Sequence, residues 1–254
     1  MSDYLEVASV NHSFGGLQAL NDCNFAIAQG GVTCLVGPNG AGKTTIFNVI
    51  TGFLRPDTGH VAFRGRTLDR LSPQAIVRAG IARSFQNLRL FADLTARDNV
   101  MLALPERTGE TPLDALFRPF ATARADRTRR ARALALLDHV GLAARADDRV
   151  RNLSYGEQKL LTIARLLATG AELLLLDEPA SGLAAGALDQ VMALLRRLRG
   201  EGKTLLVVEH NTRVVQQIAD QVLFLHQGHL MAQGTPAEII ADPALAEIYF
   251  GGAL

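Results

Sequence analysis

A glycine-rich run holds the residues with the clearest chemistry in this sequence. It reads Gly37-Pro38-Asn39-Gly40-Ala41-Gly42-Lys43-Thr44 and fits the spacing G-x-x-x-x-G-K-T. Glycines at this spacing let the backbone wrap around phosphate groups, and the N–H groups at the start of the next helix point at the anion. Apolar residues 32–36 predict a strand before the run, and residues 43–51 predict a helix after it. The alternative is that these residues form an ordinary turn and match the motif by chance. The strand and the helix predicted on either side argue against that alternative.

The run therefore predicts a loop that binds a nucleoside triphosphate. Lys43 can reach the β- and γ-phosphates, and the Thr44 hydroxyl can coordinate Mg²⁺. The residues expected to line the phosphates are Gly37, Pro38, Asn39, Gly40, Ala41, Gly42, Lys43, Thr44 and Thr45.

Two adjacent acids, Asp177 and Glu178, follow a run of four leucines. A strand buried on both faces would bring Asp177 to its carboxyl edge, where ligands of α/β proteins bind. There Asp177 would support the metal ion through its water, and Glu178 would accept a hydrogen bond from the attacking water. Both could instead be ordinary strand-end acids, but a phosphate loop in the same chain favours the catalytic interpretation.

The segment Ser154-Tyr155-Gly156-Glu157-Gln158 has a simple structural explanation. Serine followed three residues later by glutamate, ahead of an apolar stretch, is a capping box that begins a helix. The same physics permits a function, because a capped helix start that carries a glycine can receive an anion. The segment is therefore either a helix start alone or a helix start that also binds phosphate.

The elements around these motifs indicate an α/β fold. Hydrophobic residues make up 48% of the 254 residues and charged residues 20%, a globular balance, and the net charge of +1 argues against a nucleic-acid partner. Strands that alternate with helices after residue 172 predict parallel βαβ units. Neither a signal pattern nor an apolar run of roughly 20 residues is found, so we expect a soluble, intracellular protein. Earlier strands are predicted at residues 4–10, 24–28, 32–36 and 60–63.

Together, the phosphate loop, Leu153-Ser154-Tyr155-Gly156-Glu157-Gln158 and the strand ending in Asp177-Glu178 resemble the nucleotide-binding domain of ABC ATPases. The resemblance covers nearly the whole chain. It implies a P-loop NTPase fold of the α/β class: a RecA-like core with a parallel sheet, an antiparallel β portion and an inserted α-helical subdomain. We expect one domain over residues 1–254, with the core and β portion in 1–86 and 171–254 and the helical subdomain in 87–170. The implied activity is ATP hydrolysis, with ATP and Mg²⁺ bound.

The same resemblance gives roles to three further residues. Gln86 looks like the Q-loop glutamine, which contacts Mg²⁺ and water, and His210 looks like the switch histidine that touches the γ-phosphate. Both would join Lys43 and Glu178 in catalysis. Phe14 looks like the aromatic residue on which adenine stacks, although a phenylalanine at a strand end is also common in a core.

The resemblance also implies an assembly. In ABC ATPases the Leu-Ser-x-Gly-x-Gln element completes the active site of a partner subunit, so ATP lies between two chains. Ser154 and Gly156, with Glu157 and Gln158 beside them, would therefore act on ATP held by the partner.

Finer motifs resemble one subgroup, the ATPases of branched-chain amino acid importers. Such importers pair two ATPases, commonly two different sister chains, with two permeases and a periplasmic binding protein, at the cytoplasmic face of the inner membrane. Relatives import urea, amides or aromatic acids. The motifs are Phe14-Gly15-Gly16-Leu17-Gln18-Ala19-Leu20, the phosphate loop, Ala82-Arg83-Ser84-Phe85-Gln86-Asn87 and the tail from residue 234.

One departure from this subgroup is Ala184, in Gly182-Leu183-Ala184-Ala185, where Gly-Leu-Asn-Pro is usual. Alanine at this place is more like the sister ATPase. Two other functions stay open: the ATPase of a lipid or lipopolysaccharide exporter, and a soluble ABC protein outside transport. The second usually has two such domains or a long coiled-coil insertion, and this sequence has neither.

Overall fold

The computed structural model describes residues 4–105 and 119–250. The contacts divide the chain into two compact units. Unit 1 consists of Met1–Arg83, Glu172–Gly182 and Met192–Leu254, and unit 2 consists of Ser84–Ala171 and Leu183–Val191. The boundaries expected at 86/87 and 170/171 lie close to two of these divisions, whereas residues 183–191 group with unit 2. Residues 1–3, 106–118 and 251–254 of the expected domain lie outside the described residues.

Unit 1 contains the strands. They are β1 (Leu5–Phe14), β2 (Leu17–Ile27), β3 (Val32–Val36), β4 (Thr58–Phe63), β5 (Arg66–Thr67), β6 (Ile81–Arg83), β7 (Leu173–Asp177), β8 (Thr204–Val208), β9 (Gln221–His226) and β10 (His229–Gly234). One sheet has the order β2-β1-β4-β5, and the other has the order β10-β9-β3-β8-β7-β6. The first is antiparallel, whereas the second is parallel except for β10 at its edge.

The parallel strands consist of continuous apolar runs because helices and loops cover both faces of such a sheet. Every residue of β3 and β8 is buried, as are the four leucines of β7. Since β3, β8 and β7 are neighbours and parallel, the residues that follow them meet at one edge of the sheet. This register places the phosphate loop, Glu178 and His210 on adjacent strand ends.

Helices connect these strands and form most of unit 2. The described helices are α1 (Lys43–Ile50), α2 (Pro73–Ala79), α3 (Ala96–Ala103), α4 (Pro119–His139), α5 (Tyr155–Ala168), α6 (Ala185–Gly200), α7 (Thr212–Ile218), α8 (Pro236–Ala241) and α9 (Pro243–Phe250). Short 3₁₀ turns span Ala143–Arg145 and Val150–Asn152. No helix in the described ranges is long and apolar enough to cross a bilayer.

The core of unit 1 joins its two sheets through α1. Phe47 and Ile50 of α1 are fully buried, in one cluster with Leu5 of β1, Leu35 of β3 and Leu175 of β7. The helix that follows the phosphate loop is therefore fixed by packing on both sheets, which holds the loop rigidly against the strand ends.

Unit 2 is built from α3, α4 and α5, which pack on one another. Thr95 caps α3 by accepting from the Asp98 N–H at 3.0 Å. The side chain of Asn99, fully buried, donates to the carbonyls of Phe91 and Thr95 at 3.0 Å and accepts from the Phe91 N–H at 2.9 Å. These bonds fix the chain that leads into α3.

Candidate active site

The phosphate loop follows β3 and ends at Gly42, the residue before α1. Gly37 and Gly42 have φ values of +148° and +104°, and a Cβ would lie 2.0 Å from the Leu225 carbonyl oxygen at Gly37 and 2.6 Å from the Ala19 carbonyl oxygen at Gly42. Both positions therefore require glycine for the fold itself, apart from any ligand. Because Gly42 has no side chain with which to cap α1, the first N–H groups of this helix are left for an anion.

The other loop residues surround this helix start. Ala41 is buried, and its N–H donates to the Pro38 carbonyl at 3.2 Å, which closes the loop. Asn39 and Gly40 are exposed at the tip, and Thr44 and Thr45 occupy the first turn of α1, with Thr44 exposed. The exposed Thr44 hydroxyl is thus available as a hard oxygen ligand for a cation.

Lys43 points into its own loop. The Nζ atom donates to the carbonyl oxygens of Gly37 at 2.7 Å and Pro38 at 2.8 Å. Burial lowers the pKa of the Lys43 ammonium, whereas the carboxylates of Glu178 and Asp177 act in the opposite direction. The loop carbonyls therefore hold a partly buried cation at the centre of the predicted phosphate site.

Asp177 ends β7 and pairs with a cation that the sequence interpretation left without a role. Arg83, at the end of β6, approaches Asp177 Oδ2 with its Nη2 at 3.3 Å, and the two side chains are only 4% and 10% exposed. Arg83 Nη1 also donates to Asn48 Oδ1 of α1 at 2.5 Å. Burial raises the pKa of the Asp177 carboxyl, while the charge and hydrogen bond of Arg83 act to lower it. Arg83 thus ties β7 to α1 behind the phosphate loop.

Glu178 adopts a backbone conformation that is unusual for a residue with a side chain, with φ of +49°. Its N–H donates to the Val208 carbonyl at 3.0 Å, which fastens the end of β7 to the end of β8. Its Oε1 lies 3.6 Å from Nδ1 of His210, so the predicted water-positioning acid and the predicted switch histidine are adjacent. Both side chains are accessible, at 23% and 58% exposure, as groups that meet a ligand must be.

A second buried acid, Glu209, stands directly before His210 and was given no role from the sequence. Its side chain is fully buried, and Oε1 accepts a hydrogen bond from the Ala180 N–H at 2.9 Å. Burial raises the pKa of the Glu209 carboxyl, and the backbone N–H groups of Ala180 and His210 oppose that shift. The signal available in the sequence was a charged residue that directly follows the apolar run of β8.

Phe14 ends β1, and its ring is 48% exposed. The ring packs edge-on against His12, with centroids 4.6 Å apart and an interplanar angle of 85°. An exposed ring that is supported from behind suits stacking on a flat ligand better than it suits a core. Phe14 is thus the last residue of the antiparallel strand β1 of unit 1.

In unit 2, Ser154 forms the predicted capping box at the start of α5. The Glu157 N–H donates to Ser154 Oγ at 3.3 Å, and Glu157 Oε2 accepts from the Ser154 N–H at 2.7 Å. Gln158 donates from Nε2 to the Leu153 carbonyl at 3.0 Å. A Cβ at Gly156 would lie 2.7 Å from the Ala187 Cβ, so close helix packing also requires this glycine. The segment has the structural role described above, and Ser154 remains exposed.

Two further predicted positions also belong to unit 2. Gln86 is exposed in a bend three residues after β6, and near it Arg89 covers the ring of Phe85 at 3.8 Å. Ala184 is exposed, and its carbonyl accepts from the Leu188 N–H at 2.9 Å at the start of α6. The structure therefore brings the phosphate loop together with Asp177, Glu178 and His210 at one edge of the parallel sheet, and it places the predicted residues near Ser154 at one helix start. Phe14 lies in the other, antiparallel sheet.

Known proteins resemble this chain along nearly its whole length. The ABC transporter family model matches residues 20–181. The high-affinity branched-chain amino acid transport ATP-binding protein BraF of Pseudomonas aeruginosa is 38% identical over 250 residues, which is 98% of each chain. The corresponding LivG of Escherichia coli K12 is 36% identical, again over 98% of each. A crystal structure of a nucleotide-free ATP-binding cassette from an ABC transporter is similar, with a TM-score of 0.85 and 29% identity over 98% of this chain and 99% of that one.

Proposed function

This chain belongs to the ABC transporter family of ATP-binding proteins, and we propose that it is the ATP-hydrolysing subunit of an importer for branched-chain amino acids or related small substrates. The observation that carries the proposal is the meeting of three strand ends at one sheet edge. There Lys43 lies in a phosphate loop, Asp177 ends β7, and Glu178 lies 3.6 Å from His210. The substrate class follows from the names of BraF and LivG, branched-chain amino acid transport ATP-binding proteins that align over 98% of this chain.

The residues of this edge have separate roles in ATP hydrolysis. Lys43 and the first N–H groups of α1 neutralise charge on the β- and γ-phosphates, which grows as the terminal phosphoryl group leaves. Glu178 accepts a hydrogen bond from the attacking water and orients it. His210, beside Glu178, contacts the γ-phosphate. This contact couples the position of the attacking water to the bound nucleotide. Phe14 stacks on adenine.

Magnesium would enter this site with the nucleotide. Among residues 4–105 and 119–250, no group of three or more His, Cys, Asp or Glu side chains could hold a metal ion by itself. A hard cation that uses phosphate oxygens needs few protein ligands, and the exposed Thr44 hydroxyl and the Asp177 carboxylate supply the oxygen chemistry. Bound Mg²⁺ would neutralise phosphate charge. We assign Gln86 as a further contact to the ion by resemblance.

The second half of the site would come from another ABC subunit. The exposed Ser154 at the start of α5 and the adjacent Gly156 are the residues that would meet ATP on that subunit. We propose a sister ATPase as the partner, because Ala184 departs from the usual sequence of this loop. Two permeases and an extracytoplasmic binding protein complete the proposed importer, with this chain at the cytoplasmic face of the membrane.

Transport by the assembled complex tests the proposal. The chain is reconstituted in proteoliposomes with its permeases, sister ATPase and binding protein, with ATP enclosed on the side of the ATPases. We expect ATP-dependent uptake of radiolabelled leucine, isoleucine or valine that is lost in the Glu178→Gln variant. Uptake of urea or an amide with no uptake of these amino acids would correct the substrate, and ATP-dependent release of a lipid would contradict import.

A further inference from the structure

The strained backbone at Glu178 needs an explanation from its surroundings. A φ of +49° is unfavourable for a residue with a side chain and persists only where neighbouring contacts hold it. The next residue, Pro179, has no N–H to donate. The first donor available after Glu178 is therefore the N–H of Ala180.

That donor bonds to a side chain and not to the backbone of the sheet. The Ala180 N–H donates to Glu209 Oε1 at 2.9 Å, two residues along from the bond between the Glu178 N–H and the Val208 carbonyl at 3.0 Å. The turn at residues 178–180 is thus held at both ends by the end of β8. The hydrogen-bond acceptor is the Val208 backbone carbonyl at one end and the Glu209 carboxylate at the other.

Accepting this hydrogen bond with a buried glutamate lowers the free energy of unfolding. The Glu209 side chain is fully buried, and its Oε2 accepts no hydrogen bond from any residue in the described ranges. A buried carboxylate with an unmatched oxygen opposes folding, so stability alone does not favour glutamate here. Glu209 directly precedes His210 in the chain, so its bond to the Ala180 N–H links the turn after Glu178 to the loop that carries His210.

We propose that Glu209 is a positioning residue for ATP hydrolysis. Its carboxylate fixes the Glu178–Ala180 turn against the loop that carries His210, so that Glu178 keeps the orientation in which it can hold the attacking water. In this proposal Glu209 does not contact the nucleotide, and it affects hydrolysis only through the positions of Glu178 and His210. The inference rests on the proposed role of Glu178.

A positioning role and a merely structural role predict different measurements. If Glu209 only supported the fold, its replacement would lower the melting temperature and reduce turnover by the loss of folded protein. If it positions Glu178, a replacement lowers kcat and leaves ATP affinity nearly unchanged. In Glu209→Gln the melting temperature should also stay equal or rise, because a buried charge has been removed.

The experiment uses Glu209→Gln and Glu209→Asp in the assembled transporter. The first keeps the length and removes the charge, and the second keeps the charge but shortens the reach to Ala180. We expect kcat to fall about 10-fold or more in each, as for loss of a charged hydrogen bond, with ATP affinity within about 2-fold of wild type. Melting temperature, binding of a fluorescent ATP analogue and phosphate release are measured on the same samples.

Asp220→Asn is the matched control. Asp220 also accepts a backbone hydrogen bond across the parallel sheet, from the Val32 N–H at 2.9 Å, but at the amino ends of β3 and β9, away from the phosphate loop. We expect this variant to lose melting temperature and to keep wild-type kcat per folded molecule.

Wild-type kcat in Glu209→Gln, or a fall in kcat matched by an equal fall in ATP affinity, would overturn the inference. If Glu209→Gln does not fold, the same two results for Glu209→Asp decide. Glu178→Gln is measured in parallel, so that a wrong role for Glu178 can be distinguished from a wrong role for Glu209. Normal turnover in Glu178→Gln would remove the proposed role of Glu178, whereas loss there with normal turnover in both Glu209 variants would remove only the role of Glu209.

Discussion

Replacing Arg83 with methionine should destabilise unit 1 strongly, because it removes the guanidinium that pairs with the buried Asp177 carboxylate. The Arg83 and Asp177 side chains are 4% and 10% exposed, with Nη2 and Oδ2 3.3 Å apart. Methionine preserves the apolar volume against the Phe47 ring, over which the guanidinium carbon lies at 5.2 Å. The change therefore tests charge more than packing.

The magnitude follows from burial. Removing one partner of a buried ion pair costs about 3–5 kcal/mol, which for a chain of this size lowers the melting temperature by roughly 6–20 °C. The loss should depend on pH. Burial raises the pKa of Asp177 above its ordinary 3.8, so its ionised form opposes folding, and Arg83 limits that shift. Without Arg83 the pKa rises further, so the added loss is largest at neutral pH and fades as the pH falls towards 3.8.

Denaturant unfolding of four proteins provides the assay: wild type, Arg83→Met, Asp177→Asn and the double variant, each at pH 7.5 and pH 4.5. The double variant should recover much of the stability lost by either single change, because no unpaired charge is left buried. Additive losses in the double variant, or a loss for Arg83→Met that is equal at both pH values, would show that Arg83 does not stabilise unit 1 through the charge of Asp177.

Three further changes test separate parts of the site. Lys43→Ala should weaken ATP binding about 10-fold or more, since it removes a charged hydrogen bond to phosphate, and an unchanged Kd in a fluorescent-ATP titration would contradict its role. Phe14→Ala should weaken binding by roughly 5- to 100-fold, as for lost base stacking, with little change in melting temperature because the ring is 48% exposed. Phe14→Trp should bind normally, and equal binding by Phe14→Ala would refute stacking. Ala184→Asn should add a side-chain hydrogen bond of about 0.5–1.5 kcal/mol at the proposed subunit interface and change the Hill coefficient of ATP hydrolysis in the assembled complex. An unchanged coefficient would leave Ala184 without a coupling role.

The elements that carry strong local signals were predictable from the sequence. Helix α2 carries such signals: Ser72 caps it, Pro73 is its first residue, and Gly80, with φ of +110°, follows its last residue. The leucine run forms β7 as expected. The capping box at Ser154 and the strand–loop–helix context of the phosphate loop are likewise confirmed. In each case the deciding interactions lie within a few residues of one another, so the sequence window contains them.

The strands that were missed depend on distant partners. The strand predicted at 24–28 begins seven residues earlier, at Leu17, because a polar segment pairs with β1 across the Gly15–Gly16 turn. Neither β6, with three residues, nor β10, half of whose residues are exposed, has an apolar run of its own. Pairing with β7 and β9 makes them strands, and no local pattern reports that pairing.

Only some residues of the candidate site could be predicted from the sequence, for the same reason. Motif spacing pointed to Lys43, Asp177 and Glu178. The partners that hold them, Arg83 and Glu209, were not given roles, because the β6–β7 and β7–β8 pairings that bring them near are tertiary. The positive φ of Glu178 is likewise invisible in a sequence, since the turn is held by the bonds of the Glu178 N–H to Val208 and of the Ala180 N–H to Glu209.

The most direct test of the central claim is phosphate release by the Glu178→Gln variant, measured with its oligomeric state by light scattering. The claim is that Glu178 positions water for ATP held between two ABC subunits. The variant should bind ATP like the wild type, lose nearly all turnover and accumulate as an ATP-bound dimer with itself or with the sister ATPase. Near-native phosphate release from the variant, or full wild-type activity from a monomer under assay conditions, would contradict the claim.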